Sequence, residues 1–258
     1  MKIIAVTNRK GGVGKTTVAH CLGHGLARRG KKVLALDLDT QGNLSMWCNA
    51  TDGGATLADV VLRTHTLADV ARPIWRADDG PGRFDLVAGG DRLYMAEGEV
   101  DRQHALSQAY LADELADLPE GAWDVVLMDT APSLSVFWSA AIVAASWIIV
   151  PTEPSAMGVE AMGELKIRMS QLSRLGTAEL AGVVVSPYNS RTRLEREALE
   201  AITELAEGSP VWTVRRNVAI AEAFAAMEPI YGYEPRSHAA TDYGRIADQV
   251  VERLDNGS

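Results

Sequence analysis

A glycine-rich segment directly after a short apolar run is the feature that most limits how this chain can fold. The run is Ile3–Val6, and the segment reads Lys-Gly-Gly-Val-Gly-Lys-Thr-Thr from Lys10 to Thr17. This pattern predicts a strand, a tight turn and a helix that begins at Lys15. Glycines let the backbone wrap closely around a ligand, and the N-terminus of a helix attracts an anion. The segment therefore predicts a phosphate-binding loop.

The side chains at the end of this loop have the chemistry that phosphate binding needs. Lys15 can neutralise the β- and γ-phosphate oxygens of a nucleotide, and the hydroxyl of Thr16 can bind Mg²⁺. The segment also departs from the usual spacing, because Arg9 stands where glycine is usual and Lys10 adds a second lysine. The alternative is a glycine turn followed by a chance Lys-Thr pair. The whole segment matches the phosphate-loop pattern and lies between a predicted strand and a predicted helix, which argues against a chance pair.

Composition limits the possible classes of protein. A chain of 258 residues with 47% hydrophobic content can bury the core of one large α/β domain. The net charge of −9 means that contact with nucleic acid or anionic lipid requires a local basic patch. The longest apolar stretch, Val136 to Val150, is too short to cross a bilayer. With no signal-peptide pattern at the start, we expect a cytoplasmic protein.

Apolar, β-branched runs alternate with helix-length segments along the chain. The expected strands are Ile3–Thr7, Val33–Leu36, Phe84–Val87, Val125–Met128, Trp147–Val150, Val183–Val185 and Val211–Val214. The expected helices include Thr16–Arg29, Leu106–Leu118, Ala156–Leu175 and Leu194–Glu207. This order predicts an α/β fold with a mostly parallel central sheet and helices on both faces, in which residues 1–258 form a single domain. The Gly/Asp-rich segment Asp78–Gly82 is expected to be a surface turn.

Acidic residues follow two of the predicted strands. Asp37 and Asp39 come after the second strand, and Asp129 follows the fourth. Ligands of parallel sheets bind beyond the carboxyl ends of the strands, so we expect these acids near the phosphate loop. There they could take part in a magnesium shell. An aspartate at one strand end is about as often a turn residue or helix cap, but three of them beside a phosphate loop favour the functional interpretation.

These segments resemble the nucleotide motifs of the ParA/MinD family of deviant Walker ATPases. The residues that carry the resemblance are Lys10–Thr17, Asp37–Asn43 and Asp129–Ser133. Tyr188–Leu194 and Arg215–Ala223 are similar to two later segments of the ParA branch. The resemblance runs nearly from end to end and implies a deviant P-loop NTPase fold, an ATPase activity, and ATP with Mg²⁺ as cofactors.

The resemblance also implies roles for individual residues. ATP would be bound by Lys10, Gly11, Gly12, Val13, Gly14, Lys15, Thr16, Thr17, Arg215 and Asn217, the last two beside the adenine. Thr16 would bind magnesium, Asp129 would support it through water, and Asp37 would support the magnesium shell. The catalytic residues would be Lys15, Asp39 and Lys10. Asp39 would orient the attacking water, and Lys10 would reach the partner's phosphates across an ATP-dependent homodimer.

Basic residues in the C-terminal part suggest a further contact. Arg191, Arg193 and Arg196 cluster together, with Glu195 and Glu197 among them. Composition by itself indicates a solvated surface here. The resemblance instead implies that the dimer binds nonspecific double-stranded DNA through such residues and is associated with the nucleoid. It also implies a ParB-like partner or cargo adaptor that stimulates slow hydrolysis.

Two departures and two alternatives accompany the resemblance. Arg215 stands where the family usually has proline, which affects the expected base contacts. Ala131 replaces the first proline of a Thr-Pro-Pro segment, and neither departure affects the phosphate chemistry. One alternative is a metabolic or cofactor-maturation ATPase of the same fold that does not bind DNA. The other is a membrane-bound scaffold, but Asp242–Asp255 carries four acids against two arginines. We therefore expect a helix packed on the domain there and no contact with a membrane.

Overall fold

An eight-stranded sheet forms the centre of the computed structural model, which describes residues 1–103, 110–133, 135–172 and 178–257. Its strands are β1 (Lys2–Val6), β2 (Lys32–Leu38), β3 (Arg72–Arg76), β4 (Arg83–Val87), β5 (Val125–Thr130), β6 (Trp147–Thr152), β7 (Glu179–Tyr188) and β8 (Val211–Arg215). Their order across the sheet is β3-β4-β2-β5-β1-β6-β7-β8. Neighbouring strands are parallel except β3 and β4, which are antiparallel. The predicted mostly parallel sheet is therefore confirmed.

Helices cover both faces of this sheet. They are α1 (Lys15–Ala27), α2 (Asn43–Trp47), α3 (Leu57–Val61), α4 (Leu67–Val70), α5 (Asp91–Gln103), α6 (Tyr110–Ala116), α7 (Val136–Ala144), α8 (Ala156–Leu172), α9 (Arg193–Leu205), α10 (Ala219–Ala226), α11 (Ile230–Tyr233) and α12 (His238–Asp255). Residues of α3 to α9 pack in one hydrophobic cluster, and residues of α1, α2 and α10 to α12 pack in the other.

The strands alternate between these two clusters, as the pleat of a β-strand requires. In β1, Ala5 belongs to the cluster of α3 to α9, whereas Ile4 and Val6 belong to the cluster of α1 and α12. Both faces are buried, which is why the central strands read as continuous apolar runs.

The edge strand β3 is absent from the sequence prediction, although the seven other strands match it. Its sequence, Arg-Pro-Ile-Trp-Arg, contains a proline and two arginines, which are typical of edge strands and weaken the strand pattern. Asp78–Gly82 forms the turn between β3 and β4, as expected, with a hydrogen bond from the Ala77 amide to the Gly82 carbonyl at 3.0 Å. Residues 106–109 and 173–175 of two expected helices lie outside the described residues.

The C-terminal helix α12 packs on the domain, as predicted. It begins earlier than expected because Ser237 caps it, accepting a hydrogen bond from the Ala240 amide at 3.1 Å. Ile246 and Val250 are buried against the cluster that includes α1. Among the described residues, we find no helix that combines the length and the apolar character needed to span a membrane.

Helix α1 is enclosed on almost every side, and two glycines make this possible. A Cβ atom on Gly23 would lie 2.5 Å from the ring of Phe84. A Cβ atom on Gly25 would lie 2.9 Å from the Cβ of Ala247 and 2.8 Å from the Tyr231 hydroxyl. The helix that follows the phosphate loop is therefore fixed in place by close contact with β4, α11 and α12.

Candidate functional site

The predicted phosphate loop connects β1 to α1 in the centre of the sheet. Gly12 and Gly14 have φ angles of +76° and +88°, a left-handed conformation that glycine adopts without strain. Gly14 occupies the N-cap of α1 and has no side chain to bond the first amides of the helix. These amides are consequently available to an anion at the positive end of the helix dipole.

Lys15 is buried at the start of α1. Its side-chain Nζ donates a hydrogen bond to the Lys10 carbonyl at 3.2 Å, so the ammonium lies against the loop. Burial lowers the pKa of Lys15 from its ordinary value, although the negative charges of Asp129 and Asp39 oppose this shift. The structure thus brings Lys15 together with two of the predicted acids.

Thr16 and Asp129 form the part of the site that suits a divalent cation. The Thr16 hydroxyl donates to Asp129 Oδ2 at 2.7 Å, while Asp129 Oδ1 is buried with no hydrogen-bond partner among the described residues. Asp37 is the register neighbour of Asp129 on the adjacent strand. Hydroxyl and carboxylate oxygens are the ligands that Mg²⁺ prefers, so this donor set fits a magnesium ion.

Burial of these carboxylates has an electrostatic cost. Burial and repulsion from Asp37 raise the pKa of Asp129 well above its ordinary value, against the effects of Thr16 and Lys15. Burial also raises the pKa of Asp37 to about 6, although Ser45 and the Asp39 amide donate hydrogen bonds to it. The site is therefore arranged for an additional positive charge.

Replacing Asp129 with asparagine is expected to stabilise the ligand-free protein and to remove its response to magnesium. An acid whose pKa is raised by folding destabilises the native state as pH rises above its unfolded pKa, so a neutral side chain relieves this cost near pH 7. A gain of about 1 kcal/mol corresponds to roughly 2–4 °C for a chain of this size. Thermal melts of both proteins, with and without MgCl₂ and ADP, test this. A lower melting temperature for ligand-free Asp129→Asn contradicts it.

Asp37 and Asp39 have different surroundings at the end of β2. Asp37 is fully buried, and its Oδ2 accepts hydrogen bonds from the amide and hydroxyl of Ser45 at 2.8 and 2.6 Å. The same hydroxyl accepts from the Gly89 amide at 2.9 Å, which joins the ends of β2 and β4. Asp39 lies just beyond β2, and its Oδ1 accepts from the Gln41 amide at 2.9 Å. Asp37 is thus tied into the fold, while Asp39 lies next to Lys15.

Lys10 lies on the other side of the loop and forms an ion pair with Glu153, the residue after β6. The loop is further connected to β6 through Asn8, whose side-chain amide donates to the Pro151 carbonyl at 2.7 Å. The Asn8 side-chain oxygen accepts a hydrogen bond from the Lys10 amide at 3.0 Å. Sequence reasoning identified Lys10 but missed Glu153.

The two residues expected near an adenine lie at the end of β8, three strands from β1. The guanidinium of Arg215 is held by the buried carboxylate of Asp242, with contacts of 2.9 and 2.7 Å. Asn217 accepts a hydrogen bond from the amide of Ala219, the first residue of α10, at 2.9 Å. Both residues shape this loop, and their contact with a base stays a prediction. Asp242 was not identified from the sequence.

The three arginines of the predicted DNA contact lie together and are exposed around the start of α9. Arg193 pairs with Glu197 at 2.7 Å, and Arg196 donates to the Ser190 carbonyl at 3.0 Å. Glu195 instead accepts a hydrogen bond from the Asn189 amide at 2.6 Å. This cluster follows β7, which lies two strands from β1 in the sheet.

The fold and the loop define a P-loop class of α/β protein, and comparisons with known proteins identify its family. A family model described as an AAA domain matches residues 1–180. Chromosome-partitioning ATPase Soj of Thermus thermophilus is 34% identical, covering 97% of this chain and 96% of its own. Chromosome partitioning protein ParA of Caulobacter vibrioides is 30% identical, covering 98% of this chain and 95% of its own.

Solved structures show the same fold. The ATP complex of a Cyanothece McdA variant has a TM-score of 0.83 at 21% identity, covering 98% of this chain and 96% of its own. Cobyrinic acid a,c-diamide synthase of Mycobacterium smegmatis, with a bound ATP analogue and magnesium, has a TM-score of 0.81 at 26% identity. It covers 100% of this chain and 97% of its own. The chain belongs to the AAA domain family and, within it, to the ParA/MinD ATPases, which confirms the resemblance seen in the sequence.

Proposed function

We propose that this chain is a single-domain ATPase that binds ATP and Mg²⁺ and forms a homodimer around two nucleotides. In this proposal, the dimer binds nonspecific DNA and positions DNA or another large cargo on the nucleoid. A ParB-like partner or cargo adaptor stimulates its otherwise slow hydrolysis. The observation that carries the proposal is the Thr16–Asp129 pair beside the loop, where a buried carboxylate oxygen has no partner among the described residues. A hydrated magnesium ion bound to a nucleotide would supply the positive charge that this carboxylate oxygen lacks.

Each residue of the site has a stated role in this proposal. Lys15 and the amides of the loop bind the phosphates. Thr16 binds magnesium, Asp129 supports it through water, and Asp37 supports the magnesium shell. Asp39 orients the attacking water, next to the charge of Lys15. Lys10 reaches the phosphates bound by the partner subunit and stabilises charge in the transition state. Magnesium supplies a further positive charge on the phosphates when it is bound.

The arginine cluster at the start of α9 supports the proposed contact with DNA. The three arginines are exposed: Arg191, Arg193 and Arg196. Arg193 pairs with Glu197 at the surface, and replacing this weak contact with a contact to a DNA phosphate costs little free energy. One subunit offers few such contacts, but a dimer carries two clusters on one body, so the second binds at a high effective concentration. The names of relatives described as chromosome-partitioning proteins favour DNA as the partner that binds this cluster.

Reversing the charge of Arg191, Arg193 and Arg196 together to glutamate is expected to abolish DNA binding by the ATP-bound dimer. Each neutralised phosphate contributes about −0.9 to the slope of log affinity against log salt, so six contacts give a slope of about −5. We expect the wild-type protein to bind DNA of any sequence with ATP, but not with ADP or without nucleotide. DNA retention measured across these nucleotide states and several salt concentrations tests the prediction.

A matched control separates a local contact from net charge. Replacing Arg63, Arg168 and Arg236 with glutamate changes the net charge equally at exposed sites outside the cluster. This control is expected to keep most of the binding. Equal loss in both variants contradicts the assigned surface.

A second candidate function is a metabolic or cofactor-maturation ATPase that does not bind DNA. The similarity to the M. smegmatis cobyrinic acid a,c-diamide synthase, which extends over the whole chain, favours it. The same DNA experiment distinguishes the two functions. If the wild-type ATP dimer ignores DNA even at low salt, the partitioning function fails and this candidate replaces it.

A further inference from the structure

We propose that Glu153 is a positioning residue that holds Lys10 within its own subunit and thereby opposes formation of the ATP dimer. The inference rests on the proposed function, because it concerns the lysine that reaches the partner's phosphates. The Lys10 ammonium forms an ion pair with Glu153, and the two side chains are 24% and 35% exposed. The pair is partly shielded from water, which strengthens it relative to a fully exposed pair.

The backbone fixes Glu153 where it can make this contact. Strands β1 and β6 are neighbours, so the phosphate loop and Glu153 leave the sheet side by side. The Glu153 carbonyl accepts a hydrogen bond from the Ser155 amide at 2.9 Å, within a tight turn before α8. A Cβ atom on Gly158 would lie 2.1 Å from this carbonyl, so α8 packs directly on the turn. Glu153 is therefore held next to Lys10 by the fold and not by a flexible loop.

The Lys10 ammonium has two competing partners in this arrangement. In the single subunit it bonds to the Glu153 carboxylate, and in the dimer it must leave this carboxylate to approach phosphate oxygens across the interface. The phosphates carry more negative charge than a carboxylate, so they can displace it. Breaking the Lys10–Glu153 pair therefore offsets part of the attraction between Lys10 and the partner's nucleotide, and the dimer is correspondingly less stable.

The size of this effect follows from the number of pairs broken. A partly exposed ion pair corresponds to roughly a threefold effect on an equilibrium constant. Each dimer contains two copies of Lys10, so two pairs must break. Removing the carboxylate is expected to strengthen dimerisation about tenfold.

The neighbouring pair of Arg9 with Glu164 provides a matched control. It joins the same loop to α8 at 2.6 Å, and its side chains are 32% and 50% exposed. Breaking this pair disturbs the loop to a similar degree without freeing Lys10. A general loosening of the loop would affect both pairs, whereas the proposed competition affects Glu153 alone.

The test measures dimerisation of the full chain by sedimentation velocity with Mg²⁺ and a non-hydrolysable ATP analogue. Glu153→Gln is expected to lower the midpoint concentration of dimerisation about tenfold, while Glu164→Gln changes it less than twofold. In a Lys10→Ala background, Glu153→Gln is expected not to strengthen the weaker dimerisation that remains, because the ammonium that Glu153 holds is gone. Thermal melts and ADP affinity check that each variant folds. If Glu153→Gln does not fold, Glu153→Asp retracts the carboxylate and gives a change in the same direction.

The outcomes separate this inference from the proposed function. A midpoint for Glu153→Gln that equals or exceeds the wild-type value overturns the inference. A dimer that requires ATP and is weakened by Lys10→Ala leaves the proposed function standing. An equal effect of Glu164→Gln, or an effect that persists without Lys10, also overturns it. If the wild-type chain does not dimerise with the ATP analogue, the proposed function fails and the inference fails with it.

Discussion

Replacing Lys15 with alanine is expected to abolish ATP binding at concentrations that saturate the wild-type protein. Lys15 is 7% exposed, and its ammonium lies against the loop, bonded to the Lys10 carbonyl. Truncating one partner of a buried, hydrogen-bonded charge pair costs about 2–5 kcal/mol, which corresponds to at least 30-fold in affinity. The loss also leaves the charges of Asp39 and Asp129 without the ammonium that opposes them. Isothermal titration calorimetry with ATP and Mg²⁺ measures the change.

Lys32 provides the control for this substitution. It lies at the start of β2, at the end of the sheet away from the loop, where its ammonium donates to the Gly121 carbonyl at 3.0 Å. Lys32→Ala removes the same charge and is expected to leave ATP affinity unchanged. A Lys15→Ala protein that binds ATP nearly as well as the wild type would mean that the phosphate site lies elsewhere.

Replacing Asp39 with alanine is expected to leave ATP binding and dimerisation intact while reducing hydrolysis about 10²-fold or more. A group that positions water or accepts its proton typically contributes this much to the rate. Asp39 lies beyond the end of β2, and its charge acts on Lys15. Single-turnover hydrolysis, measured together with the oligomeric state, tests the prediction. The variant should accumulate as an ATP-bound dimer.

Asp37 is the internal comparison for this result. Its carboxylate is engaged by Ser45 and by the Asp39 amide, so it has less freedom to act on a water molecule. Normal turnover in Asp39→Ala, together with an inactive Asp37→Ala, would show that the two acids have exchanged roles.

Much of the fold could be predicted because burial on both faces leaves a clear pattern in parallel strands. Seven strands appear as apolar runs, and the phosphate loop is recognisable because its glycines, lysine and threonine are contiguous. Strand β3 was not predicted because an edge strand tolerates Pro73 and the flanking arginines, which weaken the strand pattern. The start of α12 was misplaced because Ser237 is a capping signal that apolar spacing does not reveal.

The residues of the candidate site could be identified from the sequence where they are close along the chain, but not where they meet only through folding. Glu153 is 143 positions from Lys10, and Asp242 is 27 positions from Arg215. Ser45 belongs to the segment after β2 but has no special spacing from Asp37. Such contacts depend on which strands are neighbours in the sheet and on the residue at which each helix begins. Neither property is visible in one sequence without its topology.

The close fit around α1 has a consequence for how this protein can evolve. Gly23 faces the ring of Phe84, and Gly25 faces Ala247 and Tyr231, each without room for a methyl group. A larger residue on α1 is tolerated only if the facing residue becomes smaller, so sequence drift at these positions must occur in compensating pairs. Homologues that carry alanine at position 23 should therefore have a smaller side chain than phenylalanine at position 84.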